Sequence, residues 1–310
     1  MSATARLERL EQLIGDERQS LGAYEIETSS EWTQLHIDEI RASSALAGVR
    51  LPRDEVLALV LHGRVGGNGA LDDYILLADY ADAAAYVAAR PKAGPRHRFI
   101  AVEEIVELHT RALRRMRSAR PGQWRRTTVP AFASGMVAPP AWLVPREIER
   151  FVERIGSGPQ NGESVLRWAA AAHGRFWRIQ PFAHGNGRVG RLVLNLLLRR
   201  VGLPPFFVST RERTRYTTAL LDAAARDEVP LATLLARSLL ASLRRLLTAV
   251  DRRDQLVPLA KLAEPHEREA LYKAAQRGRL RAVRRGGALL TTQASIDAYR
   301  ASRSPAGRRA

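Results

Sequence analysis

The chain has 310 residues, 45% of them hydrophobic, with a formal net charge of +17 and no cysteine. That length and apolar content suit one sizeable core plus a small second domain, and argue against general disorder. Without cysteine, disulfides, thiolate metal sites and sulfur redox chemistry are excluded, in keeping with a reducing compartment.

The opening MSATARLERLEQLIGDERQS places Leu7, Leu10, Leu13 and Ile14 at helical spacing among charges, unlike the unbroken apolar stretch of a signal peptide. No segment reaches the ~18 consecutive apolar residues of a membrane span, so a cytoplasmic protein without a membrane partner is expected. Residues 1–50 read as helices separated by a polar run at 25–32, and Pro52 opens a further helical pattern over 53–61. The glycine-rich GRVGGNGALDD lacks both a preceding strand and a Lys-Ser/Thr pair, and reads as a surface loop rather than a phosphate loop. Helix is expected again over 72–118, broken at Pro91 and Pro95. Thr127, Thr128, Val129, Phe132, Met136 and Val137 flank Ser134-Gly135 and predict a β-hairpin between Pro121 and Pro145. Helices return with SVLRWAAAAHGRFWRI, then a glycine-rich turn, then RVGRLVLNLLLRRVG, which Gly202 and Pro204 stop. Residues 211–250 complete a helical body.

In QPFAHGNGRVGR a Gly-Asn-Gly turn runs into an apolar helix that carries Arg188 and Arg191 at its start. A helix N-terminus exposes unpaired N–H groups and a partial positive charge, which suits an anion. Alone, such a turn also fits a solvated helix cap, but its surroundings are more specific. The run AAAAHGRFWRIQPFAHGNGRVGRLVLNLLLRRVGLPP resembles the signature region of the Fic (Fido-fold) family, whose motif reads His-Pro-Phe-x-Asp/Glu-Gly-Asn-Gly-Arg-x-x-Arg. This chain agrees at Pro181, Phe182, Gly185, Asn186, Gly187, Arg188 and Arg191, and departs at Gln180 and His184.

The resemblance implies a role for each matching residue. Phe182 anchors the loop in the core, Gly185, Asn186 and Gly187 cradle the α- and β-phosphates of a nucleotide such as ATP, and Arg188 and Arg191 meet the β- and γ-phosphates. Ala133, Ser134, Gly135, Met136 and Val137 correspond to the family's flap, a hairpin that aligns a protein target by strand addition. The departures bear on activity. Gln180 stands where the family has a catalytic histidine and cannot titrate, and a lost general base typically costs ~10²- to 10⁴-fold. His184 stands where a carboxylate holds Mg²⁺, and imidazole suits that hard ion poorly, so Mg²⁺ is not expected. The segment EIRASSALAGVRLPRDEV resembles the family's inhibitory helix with Ala47 in place of the inhibitory glutamate, which implies that Arg191 is free. Gln180 also reads as a plain spacer, His173 as a hydrogen-bonded structural residue, and Trp168, Phe176 and Trp177 as core.

Residues 251–310 hold fourteen Lys or Arg against six Asp or Glu, a surplus of eight. Within them, 256–303 resemble the small winged helix-turn-helix domains of the excisionase type: two short helices, a hairpin turning at Gly286-Gly287, and a closing helix over 293–302. Arg277, Arg279, Arg281, Arg284 and Arg285 would contact DNA phosphates, although Glu267 and Glu269 oppose this.

The expected fold is mainly α: a helical Fido core with a hairpin flap plus a C-terminal winged helix-turn-helix. The expected segments are 1–55 (N-terminal helices), 56–250 (Fic domain) and 251–310 (winged helix). The favoured function is a Fic homologue with weak or no transferase activity that binds a nucleotide or polyphosphate and DNA. An atypical active transferase, moving AMP or another phosphoryl-containing group onto a protein hydroxyl, and a DNA-binding or protein-interaction scaffold are the alternatives.

Overall fold

The computed structural model describes residues 2–21, 27, 29–93, 99–130, 135–160, 162–254 and 256–303. The chain divides into two compact units, Met1–Leu7 with Gln34–Leu239, and Glu8–Thr33 with Leu240–Ala310. Residues 1–55, expected as one segment, are thus shared between the units. No helix among the described residues is long and apolar enough to cross a membrane.

Helices α1 (Ala3–Leu21) and α2 (Ser30–Leu46) lie within residues 1–50, where the sequence predicts helices. In the larger unit follow α3 (Arg53–His62), α4 (Leu71–Ala88), α5 (Val102–Ala112), α6 (Val144–Gly156), α7 (Val165–Ile179), α8 (Asn186–Arg200) and α9 (Arg213–Ala224), and α10 (Val229–Asp254) begins there. Ser164 starts α7 by accepting a hydrogen bond from the Arg167 N–H at 3.1 Å. Helix α6 buries Val144, Ile148, Phe151, Val152 and Ile155 and leaves charged residues outside, the stripe of a surface helix. Helix α8 buries every residue from Val189 to Leu198, polar Arg191 and Asn195 included, and it packs against α4, α5 and α7.

The smaller unit contains α11 (Leu259–Leu262), α12 (Arg268–Gln276), α13 (Gln293–Arg303) and the antiparallel strands β1 (Val257–Pro258), β2 (Val283–Arg285) and β3 (Ala288–Thr291), ordered β1-β3-β2. Val283 pairs with Leu290 and Arg285 with Ala288, so the hairpin turns at Gly286-Gly287 as the sequence predicts. Leu259, Leu271, Leu280, Leu289 and Ile296 form its core. The described residues between 121 and 145 contain no strand. Residues 131–134, including Ala133 and Ser134 of the expected flap, lie outside the described residues, while Gly135 and Val137 are exposed and Met136 is half-buried.

Gly174 permits a close approach to the backbone of a neighbouring helix. A Cβ there would stand 2.6 Å from the Ala223 carbonyl carbon and 2.7 Å from the Ala224 nitrogen, so the α7 backbone at Gly174 meets the backbone at the end of α9. Gly174→Ala should therefore destabilise the fold by about 1–3 kcal/mol through overpacking, outweighing the gain in helix propensity. Urea unfolding checks this; an unchanged or raised midpoint would show that α9 can withdraw without loss.

Candidate functional site

Residues 180–191 form the turn from α7 into α8. Helix α7 ends because Gln180 adopts a left-handed conformation, φ 46°, and Pro181 follows. The Gln180 amide nitrogen donates to the Trp177 carbonyl at 2.8 Å, so its side chain closes the helix end. Phe182 is fully buried and stacked between His109, with ring centroids 3.7 Å apart, and Trp124, at 5.0 Å. Asn186 fastens the loop: its Oδ1 accepts from the Phe182 N–H at 2.9 Å and its Nδ2 donates to the Phe182 carbonyl at 2.7 Å. Gly185 caps α8 at φ 78°, a conformation that favours glycine. Among the described residues no side chain caps α8, which leaves its first N–H groups available to an anion.

His184 is exposed, and its carbonyl accepts from His109 Nε2 at 3.3 Å. Because His109 Nδ1 accepts from the Gly122 N–H at 2.9 Å, the ring proton belongs on Nε2. Burial lowers the His109 pKa from 6.5 to about 4, so the ring is neutral near pH 7.

The two arginines differ sharply. Arg188 is half-buried, its Nη1 is enclosed without a hydrogen-bond partner among the described residues, and burial followed by the nearby Arg191 charge lowers its pKa. A guanidinium remains protonated at any working pH, so Arg188 is a poorly balanced cation beside the loop. Arg191, only 6% exposed, donates through Nε to Ser43 Oγ at 2.5 Å and through Nη2 to the Ser43 carbonyl at 2.9 Å. The expectation that Arg191 is free therefore fails. Ala47 is exposed past the end of α2, but the same helix reaches Arg191 one turn earlier, and a buried guanidinium requires acceptors.

Several residues that the sequence did not single out complete this network. Glu39, one turn before Ser43, is buried and accepts from the Tyr80 hydroxyl at 2.5 Å. Burial raises its pKa from 4.5 to about 7 against the opposing pull of Tyr80 and Arg191. His173 Nε2 lies 2.7 Å from the Tyr216 hydroxyl, in the structural role expected for it, and burial lowers its pKa from 6.5 to about 3. Trp168 and Phe176 are core, whereas Trp177 is only half-buried. Arg125, 3% exposed, spends its guanidinium on carbonyls: Nε on Gln180 at 2.7 Å, Nη1 on Thr127 at 3.0 Å, and Nη2 on Pro139 and Ile179. It fastens the chain on both sides of residues 131–134 to the negative end of α7. The sole sequence signal for Glu39 and Ser43 is their helical spacing on the buried side of α2; nothing local marks Arg125.

In the smaller unit Arg277, Arg279, Arg281 and Arg284 are exposed, and Arg285 lies on β2. Glu267 is paired with Arg300, and Glu269 with Lys273 at 2.5 Å, so both carboxylates are matched within the unit.

Residues 99–198 match the Fic/DOC family model, a span that contains His109, Arg125 and the whole loop. The chain carries a Fic/DOC family domain. It is similar to "Protein adenylyltransferase Fic" of Drosophila grimshawi, 35% identical over 117 residues, covering 38% of this chain and 24% of the relative. The protein of the same name from Drosophila willistoni is 30% identical over 174 residues, covering 56% of this chain and 34% of the relative. The chain thus spans about a third or less of these relatives. Among solved structures, Fic-1 from C. elegans superposes with a TM-score of 0.69 at 22% identity, covering 81% of this chain and 74% of that one. A Fic domain containing signaling protein from Bacteroides thetaiotaomicron VPI-5482 gives 0.68 at 20% identity, covering 78% and 97%. At such identities the likeness concerns the fold, and it agrees with a mainly helical Fido architecture around the Fic domain's loop.

The buried titratable groups of the larger unit give it a defined response to pH. Between pH 6.5 and 4.5 the unfolded chain's histidines take up protons that folded His109 and His173 refuse, so acidification lowers stability. Glu39 opposes this by one proton, since the folded side chain holds it below about 7 while the unfolded one has released it above 4.5. Glu39→Gln removes the opposition, and its melting temperature should fall more steeply than wild type across that window. Parallel curves in a thermal unfolding series would show that folded Glu39 does not hold the proton.

Proposed function

We propose that the Fic domain holds the phosphates of a nucleotide, or an inorganic polyphosphate, at the start of α8 and has little or no capacity to transfer them. The observation that carries this reading is the pairing of an enclosed, partnerless Arg188 Nη1 beside an uncapped helix start with an amide at 180 that is tied to the Trp177 carbonyl. A bound nucleotide would supply the anionic phosphates and a group that can be transferred. The first N–H groups of α8 would receive the phosphates, Gly185 keeps the approach open, and Arg188 neutralises charge. Gln180 takes up no proton, so a target hydroxyl approaching the loop would find no base there. The neutral imidazole at His109 donates to the His184 carbonyl and is packed under Phe182, which removes it as a substitute. Exposed His184 offers a nitrogen where a carboxylate would serve Mg²⁺, so phosphate binding rests on the helix and Arg188 rather than on a metal.

The relatives named adenylyltransferase make ATP the first probe. Calorimetry should give ATP binding by the wild type that Arg188→Ala weakens about tenfold or more, the loss of one charge-assisted contact. Gln180→His combined with His184→Asp should raise transfer from labelled ATP by about 10² or more. Absence of any nucleotide or polyphosphate binding would end the proposal, and transfer by the wild type at the variant's rate would restore the transferase reading.

The smaller unit supports a second role, duplex DNA binding through a winged helix-turn-helix. The four exposed arginines around the hairpin favour it, and the internal pairing of Glu267 and Glu269 lowers the repulsion those carboxylates would otherwise offer. A gel shift on duplex DNA should appear at low ionic strength and weaken steeply with salt; no shift at any salt would leave a protein partner for this unit.

A further inference from the structure

A cleft of about 1290 Å³ lies in the larger unit, lined by α6, α7 and the turn after α9. Arg154, Arg175, Arg178 and Arg226 converge on it, and none makes an ion pair or side-chain hydrogen bond among the described residues. Arg175 is half-buried at the centre, where burial and then the charges of Arg154, Arg226 and Arg178 lower its pKa. Other arginines of the same wall are matched: Arg150 with Glu147 at 2.9 Å and Arg167 with Glu228 at 2.6 Å. A folded chain rarely gathers four unmatched cations, one of them half-buried, without an anion to receive.

We infer that this cleft docks an acidic segment of a protein partner, whose carboxylates pair with Arg154, Arg175, Arg178 and Arg226. The inference goes beyond the phosphate loop and does not depend on it. Glu147 and Glu228 are matched to arginines, but Glu153 and Glu163 on the same walls make no ion pair among the described residues, and they favour a polypeptide over nucleic acid. A phosphodiester backbone brings a negative charge at every step and would meet those carboxylates. A polypeptide can place carboxylates at the arginines and neutral or basic side chains elsewhere. Guanidinium groups bind carboxylates through two parallel hydrogen bonds, which adds direction to the attraction. The segment that reaches the cleft at Pro139 also carries two large exposed apolar residues, Val137 at 65% and Trp142 at 78%. An exposed tryptophan on a segment that reaches an arginine-lined cleft fits the composition of a protein-binding surface.

The test measures fluorescence anisotropy of a short labelled peptide of alternating Glu and Ala on the full chain, against its Gln counterpart. The Glu peptide should bind at least about tenfold more tightly than the Gln peptide. Arg175→Ala with Arg178→Ala should weaken it by about tenfold or more, as expected for lost charge-assisted contacts. Circular dichroism establishes that this variant is folded, and Arg226→Ala, at an exposed turn, provides a second variant that should also lose affinity. Arg188→Ala should leave peptide binding unchanged and ATP should not compete, whereas failure of ATP binding alone would fall on the phosphate loop and leave the peptide result standing. The inference is overturned by equal binding of the two peptides, by equal loss in Arg188→Ala, or by displacement of the peptide by ATP. A single-stranded oligonucleotide that binds more tightly than the peptide in an Arg175-dependent way would overturn it in favour of nucleic acid.

Discussion

Helix α8 must be buried on every side and yet open at its first turn. Its leucines and valines are covered by α4, α5 and α7, but Asn186, Arg191 and Asn195 go into the interior with them. Each polar group carried inward must meet a partner or forfeit its hydration. Asn186 spends its amide on Phe182, and Asn195 spends its own on Phe206, accepting from that N–H at 2.8 Å. Arg191 turns to Ser43, with Glu39 and Tyr216 close enough to influence or be influenced by its charge. The same constraint leaves the helix start without a cap, because Gly185 has no side chain to supply one.

This arrangement gives the site an uneven distribution of charge. Below the loop, Arg191 is held by a serine hydroxyl and carbonyl, and Glu39 takes up its proton close to neutrality because burial outweighs its partners. Beside the loop, Arg188 keeps an unmatched guanidinium edge. An unmatched guanidinium edge thus stands beside an uncapped helix start, and the residue at 180 is an amide that takes up no proton. Having no carboxylate at 47 does not remove contact between α2 and Arg191. A serine one turn earlier maintains the contact by hydrogen bonds alone, so the position of the guanidinium does not require a glutamate.

Arginine serves three separable purposes in this chain. Arg125 is an internal fastener whose donors all meet carbonyls, and its charge lies at the negative end of α7. Arg188 faces the loop. Arg154, Arg175, Arg178 and Arg226 line the cleft behind α7 without an ion pair among the described residues. A net charge of +17 cannot distinguish these, since only the count of satisfied donors separates a structural arginine from one that awaits a ligand.

What the sequence determined by itself was whatever is local in the chain: the apolar period of α8, the Gly-Asn-Gly turn before it, the anchoring Phe182, and the hairpin turning at Gly286-Gly287. Those features are written in consecutive residues because backbone conformation and helix periodicity depend on near neighbours. Only the tertiary structure decided that Arg191 is occupied, since its partner Ser43 stands 148 residues away and Ala47 pointed to the opposite conclusion. The roles of Glu39, His109 and Arg125 were decided in the same way. A buried charge or ring acquires its protonation and its partners from the elements folded around it, and no spacing along the chain encodes which elements those are.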